Sequence, residues 1–153
     1  MELIIKTFDE LTTQELYEIY KVRFKVFVVE QNCPYQDADE FDPVSTHIWL
    51  KDEDGIVSYI RVLPPHTVFD EPAIGRVLAT KRNKGYGTYV VKEGIKYIKE
   101  KYPCEKITIE AQCYVRGMYE KIGFVQTSEE FLDVGIPHIK MQYSFKDQEN
   151  NNG

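Results

Sequence analysis

Arg82-Asn83-Lys84-Gly85-Tyr86-Gly87-Thr88 joins a strand pattern at Ala73–Ala79 to a helix pattern running from about Tyr86 to Lys101. Glycines at 85 and 87 let the backbone turn tightly and approach a ligand closely. The helix that follows begins with unpaired amides and the positive end of its dipole. Arg82 and Lys84 add cationic charge, and Thr88 adds a hydroxyl donor. Strand, loop and helix together make a cradle for an anion such as a pyrophosphate. Two familiar phosphate loops do not fit. A Walker loop needs Gly-Lys followed by Ser or Thr, which Gly85-Tyr86 does not provide. A dinucleotide fingerprint needs a third glycine where this chain has Val90. The pattern left is R-x-x-G-x-G; a glycine turn that merely starts a helix is the alternative.

The helix after the loop has its apolar stripe at Val90, Gly94, Tyr97 and Ile98, and Pro103 ends it. A strand at Ile107–Ala111, a helix at Val115–Ile122 closed by Gly123, and strands at Phe124–Thr127 and Ile136–Phe145 follow. Upstream, Met1–Phe8 alternates as a first strand, and Thr12 or Thr13 with Glu15 supplies capping chemistry. Leu16, Ile19, Tyr20, Phe24 and Phe27 recur at helical spacing, predicting one or two helices over residues 13–30. An irregular acidic stretch, Gln36–Pro43, carries Asp37, Asp39, Glu40 and Asp42. Strands at His47–Lys51 and Ile56–Leu63 flank Asp54-Gly55, a hairpin signal. The order β-α-β-β-β-α-β-α-β-β predicts an α/β (α+β) domain over residues 1–146, with a polar flexible tail at 147–153.

Composition narrows the function. A net charge of −6 argues against a nucleic-acid partner, whose phosphates need a basic face. No apolar run is long enough to cross a membrane, and no signal peptide is visible. Three cysteines at irregular spacing, with three scattered histidines, predict reduced thiols in the cytoplasm and no metal site.

Met118-Tyr119-Glu120-Lys121-Ile122-Gly123-Phe124 lies downstream of the glycine loop. The R-x-x-G-x-G loop followed at this distance by a helix ending Y-x-x-x-G-F resembles the GNAT superfamily of N-acetyltransferases, over roughly Ile4 to Phe145. Longer strings resemble its ElaA-like branch. They are Arg23-Phe24-Lys25-Val26-Phe27-Val28-Val29-Glu30-Gln31, Cys33-Pro34-Tyr35-Gln36-Asp37-Ala38-Asp39, Ile74-Gly75-Arg76-Val77 and Gly135-Ile136-Pro137-His138-Ile139-Lys140-Met141, with Asp42 and His47 in place. Two features depart from the pattern. The segment from Arg76 to Arg82 is shorter than usual and lacks the usual proline, and Asn83 stands where glycine is frequent.

The resemblance implies a mixed, mostly antiparallel sheet of roughly six or seven strands, helices on both faces, and a splayed strand pair forming an acyl-CoA cleft. It implies acetyl-CoA as donor, held by backbone of Val77, Leu78 and Ala79 and by Arg82, Asn83, Lys84, Gly85, Tyr86, Gly87 and Thr88. The implied reaction is direct acetyl transfer to an amine in a ternary complex. The acceptor amine, small molecule or protein, stays open, and a homodimer is compatible with the resemblance. Tyr119 matches the general acid, with a packing tyrosine as the alternative. Glu110 is the first candidate base, with a surface carboxylate as the alternative. His138 is the second, against a structural histidine. Glu30, Gln31 and His47 are expected near the substrate pocket, His47 against the alternative of a structural histidine bonded to the acidic loop. Asp37, Asp39 and Asp42 either recognise a cation or form a solvated acidic loop. A non-catalytic acyl-CoA sensor or an interaction module on the same scaffold is the competing reading.

Overall fold

The computed structural model describes residues 1–152, with side chains through Glu149. The strands are β1 (Glu2–Thr7), β2 (Thr46–Asp52), β3 (Gly55–Leu63), β4 (Ala73–Ala79), β5 (Lys106–Gln112), β6 (Val125–Gln126), β7 (Phe131–Asp133) and β8 (Ile136–Ser144). The helices are α1 (Thr13–Arg23), α2 (Tyr86–Lys101), α3 (Arg116–Ile122) and α4 (Phe145–Asn152). The sheet runs β1-β2-β3-β4-β5-β8-β6, with β7 paired to β8. The eight strands exceed the expected six or seven, because β7 is too short to show a period in sequence. Each pairing is antiparallel except β4–β5, which is parallel.

Alternation along the central strands assigns the faces. Ile48, Ile60 and Val62 pack under α2 with Val90, Val91 and Ile98. Trp49 and Tyr59, one residue out of phase, pack on the other face with Ile19 of α1 and Phe27. Both faces are covered, so β2 and β3 read as nearly continuous buried runs. Gly94 lets α2 close on the sheet: a Cβ there would meet the Ile60 Cδ1 at 2.4 Å.

The capping chemistry before α1 belongs to Thr12, whose Oγ1 accepts from the Glu15 amide at 3.1 Å while Glu15 accepts from the Thr12 amide at 2.9 Å. The predicted helix over 13–30 changes character at Arg23. Phe24–Glu30 winds as a wider π-helical stretch, and such stretches accompany functional sites. The stretch read as a polar tail carries α4, which runs to Asn152, and the Gln148 amide donates to the Gly123 carbonyl at 3.3 Å. Gly153 lies outside the described residues. No helix among the described residues is long and apolar enough to cross a membrane, and the described residues hold no cluster suited to a metal ion. Cys33, Cys104 and Cys113 are unpaired.

Candidate active site

β4 and β5 share a single rung, Ala73 opposite Thr108, where the Thr108 amide donates to the Pro72 carbonyl at 3.1 Å. Beyond it the two strands part. The opening is a cleft of about 690 Å³, a size typical of small-molecule sites. β4 also carries a bulge. Gly75 pairs with Arg61 and Leu78 with Tyr59, so Arg76 and Val77 together face Ile60. Val77, Leu78 and Ala79 line the cleft.

The glycine loop closes one end. Gly85 sits at φ +76°, a left-handed cap without side-chain help. The helical ladder begins when the Tyr89 amide donates to the Gly85 carbonyl at 3.0 Å, leaving the amides of Tyr86, Gly87 and Thr88 ahead of it. The first turn carries no acidic residue. Arg82, Asn83, Gly85, Tyr86, Gly87 and Thr88 line this end; Lys84 does not. Asn83 stands at φ +60°, and asparagine is among the few non-glycine residues that tolerate that region. The departure from the usual glycine is thereby absorbed. An uncapped helix start with Arg82 beside it and no nearby acid in the turn suits a pyrophosphate, and the parted β4 edge offers backbone to an extended arm. These residues fit coenzyme A.

The opposite wall comes from β5, α3 and β8. Glu110 lines the cleft with its side chain still exposed. Packing around it, then the Asp133 carboxylate, push its pKa up, while Lys140 and His138 pull it down. His138 is buried and lies across from Gln112 in the β5–β8 register. Its Nδ1 is 2.7 Å from the Ile136 carbonyl. A carbonyl only accepts, so Nδ1 carries a proton; in the neutral ring Nε2 is then the acceptor. Phe131 stacks on the ring.

Tyr119 on α3 lines the same wall and is 5 % exposed. Phe124 meets it edge-on. Burial, then the neighbouring Tyr114, push its pKa well up, so the phenol holds its proton. Tyr119 therefore serves packing and faces the cleft at once, and the two readings do not exclude each other.

The expected pocket residues divide. Gln31 lines the cleft and pairs with Gln112 at 3.3 Å. Glu30, at the end of the π-helical stretch, is exposed and outside it. His47 is corrected: it is fully buried and lines no part of the cleft. Its Nδ1 lies 2.7 Å from the Tyr59 hydroxyl and its Nε2 3.1 Å from the Asp42 carbonyl. Burial pushes its pKa down, consistent with a neutral ring that ties the acidic loop to β3.

The acidic stretch has its cations inside the molecule. Arg23 reaches Asp37 at 2.8 Å and Asp42 at 2.7 Å with no exposed side chain on any of the three. Arg61 reaches Asp39 at 2.6 Å and Asp42 at 3.0 Å. Arg76 reaches Asp37 at 2.9 Å and Asp39 at 3.3 Å. These residues are neither a solvated loop nor a waiting cation site. The sequence assigns no side-chain role to Arg76, Tyr35, Gln112, Asp133 or Val134, all of which line the cleft. Val134-Gly135, both at positive φ, make the two-residue turn between β7 and β8. Asp133-Val134-Gly135 was its only signal in the sequence.

A sequence model described as the Acetyltransferase (GNAT) domain matches residues 9–145. A UPF0039 protein of Schizosaccharomyces pombe is 34 % identical over 146 residues, 93 % of this chain and 96 % of its own. The ElaA protein of Escherichia coli is 34 % identical, covering 87 % and 90 %. A crystal structure of an acyl-CoA N-acyltransferase from Pseudomonas aeruginosa superposes with a TM-score of 0.87 at 30 % identity, covering 94 % of this chain and all of its own.

Proposed function

The chain belongs to the GNAT acetyltransferase family, and from that premise we propose that it moves an acetyl group from acetyl-CoA to an amine by direct attack in a ternary complex. The observation that carries this reading is the single β4–β5 rung. It opens a cleft lined at one end by the start of α2 with Arg82 and on the far wall by Glu110, Tyr119 and His138.

Bound acetyl-CoA would supply an activated acyl group on a thioester. The chain's own groups do the rest. Arg82 and the amides of Tyr86, Gly87 and Thr88 hold the pyrophosphate. A backbone amide at Val77 or Leu78 polarises the acyl oxygen from a fixed position. An amine attacks only when neutral, and a free lysine at pH 7 is short of that state by about 4 to 5 kcal/mol. Glu110, its pKa raised by packing and by Asp133, accepts that proton directly or through water. The His138 Nε2, free to accept, is the second station. Tyr119, held protonated by burial, returns a proton to the leaving sulfur.

Two measurements test this. Titration with coenzyme A should show saturable binding; none at millimolar ligand would remove the donor site. An amine screen that follows thiol release should find a catalysed acceptor. Binding without turnover across the screen would favour an acyl-CoA sensor instead.

A further inference from the structure

The β4 bulge is made by the wrong residue for its backbone. Arg76 stands at φ +52°, a region that glycine enters freely and that side chains resist. Glycine is available next door at Gly75, yet the left-handed residue is the arginine. Such a conformation persists when its surroundings over-determine it. Here Nη2 donates to the Asp37 carbonyl at 2.9 Å and to Asp39 Oδ2 at 3.3 Å, and Nε lies 2.9 Å from Asp37 Oδ1 as an ion pair, without hydrogen-bonding alignment. Tyr35 lies against the guanidinium, with its hydroxyl donating to Asp37 at 2.7 Å. The far end is anchored too, because Asp37 is also held by Arg23 Nε at 2.8 Å where α1 becomes π-helical. A rigid chain of contacts thus runs from that helix junction to the bulge.

We infer that Arg76 is a positioning residue: clamped by Asp37 and Asp39, its guanidinium fixes the β4 bulge and with it the place of the Val77 and Leu78 amides in the cleft. This rests on the acyl-transfer reading above. Those amides belong to the strand that faces the acyl group there. A displacement of an ångström at a polarising donor costs turnover far more than binding. The clamp also fixes the distance between the strand and the π-helical flank, which bears Gln31 of the cleft.

The test compares wild type, Arg76→Gly and Arg76→Lys. Glycine accepts the backbone angle and removes the clamp; lysine keeps the charge and loses the fork. In Arg76→Gly we expect coenzyme A affinity within about threefold of wild type and kcat lower by at least about tenfold, with part recovered in Arg76→Lys. Amide resonances of Val77 and Leu78 in the free protein should move, while those of Arg82–Thr88 stay. Unchanged Val77 and Leu78 resonances overturn the proposal. So does a loss of kcat that only follows a loss of coenzyme A affinity, or a rise in acceptor KM at constant kcat, which would make Arg76 a contact residue. If wild type turns over no acceptor, the acyl-transfer reading falls, and the resonances alone decide whether the clamp sets the bulge. Should Arg76→Gly fail to fold, Arg76→Lys and Asp39→Asn carry the same comparison.

Discussion

The two ends of the cleft are built by opposite means. The donor end is backbone: amides at the start of α2, a left-handed Gly85, and the unpaired edge of β4. The end under the π-helical flank is side chain: Arg61 of β3 and Arg76 of β4 line it, held in one network with Arg23 of α1 by three aspartates from the loop between α1 and β2 that are not themselves in the lining. A backbone site needs only a short contiguous stretch with the right conformational freedom. A buried ion network needs partners far apart in sequence, and each charge there depends on the others. The first should tolerate most single changes gracefully, and the second should not.

The largest effect expected from that contrast is at Asp42. It accepts from Arg23 and Arg61 and is fully buried. Asp42→Asn leaves two guanidinium groups short of charge inside the molecule. Breaking such a buried pair costs about 3–5 kcal/mol, read as a lower urea midpoint at unchanged slope. A loss under about 1 kcal/mol would mean that the network relaxes or admits water, and the contrast between the two ends would collapse.

Tyr119→Phe should cost nearly as much, but in rate. The change removes one hydroxyl and keeps the edge-on contact with Phe124. We expect about a hundredfold lower kcat, roughly 3 kcal/mol on the barrier, with little change in stability. An intact rate across pH would leave Tyr119 as packing only.

The pH dependence of folding is the next largest. The Asp42 carboxyl has its pKa lowered from 3.8 to about 2: burial opposes the shift, and the Arg23 hydrogen bond and charge more than offset it. A carboxylate with a depressed folded pKa stabilises fully above the unfolded value and loses that contribution as pH falls through the folded one. Stability should therefore hold from neutral pH to about 4 and then drop by about 2 kcal/mol toward pH 2. Acid titration followed by circular dichroism measures it. In Asp42→Asn this step should shrink.

What the sequence made legible follows the same division. β4 and α2 fall at their expected bounds, Ala73–Ala79 and Tyr86–Lys101, because glycine, proline and periodicity are local signals. The Arg82–Thr88 loop was legible for that reason. The acidic stretch showed its charges but not their partners, since Arg23, Arg61 and Arg76 become neighbours only after the sheet forms. The same blindness left His47 between a substrate pocket and a structural role, and the structure takes the second, sealing it under Asp42 and Tyr59. β7 and the Asp133–Val134 lip escaped because three residues carry no period.

The smallest effects come from the two loop glycines, and they separate shape from contact at the backbone-built end. Gly85 needs a left-handed φ, and a Cβ there meets nothing within 4 Å. Gly85→Ala should cost about 1 kcal/mol of stability from conformation alone, which lowers Tm by about 2–4 °C for a chain of this size. Gly87 has no such angle, and its Cβ would make ordinary contacts with Met118 Sδ at 3.6 Å and Ala79 Cβ at 3.9 Å. Gly87→Ala should leave Tm unchanged or raise it slightly. Ala79 and Met118 both line the cleft, so the added methyl narrows the ligand's passage and should raise KM for acetyl-CoA. Thermal melts paired with acetyl-CoA titrations of the two variants make the comparison. If Gly87→Ala binds normally and Gly85→Ala alone loses affinity, the cradle works through the turn at Gly85 and not through close approach at Gly87.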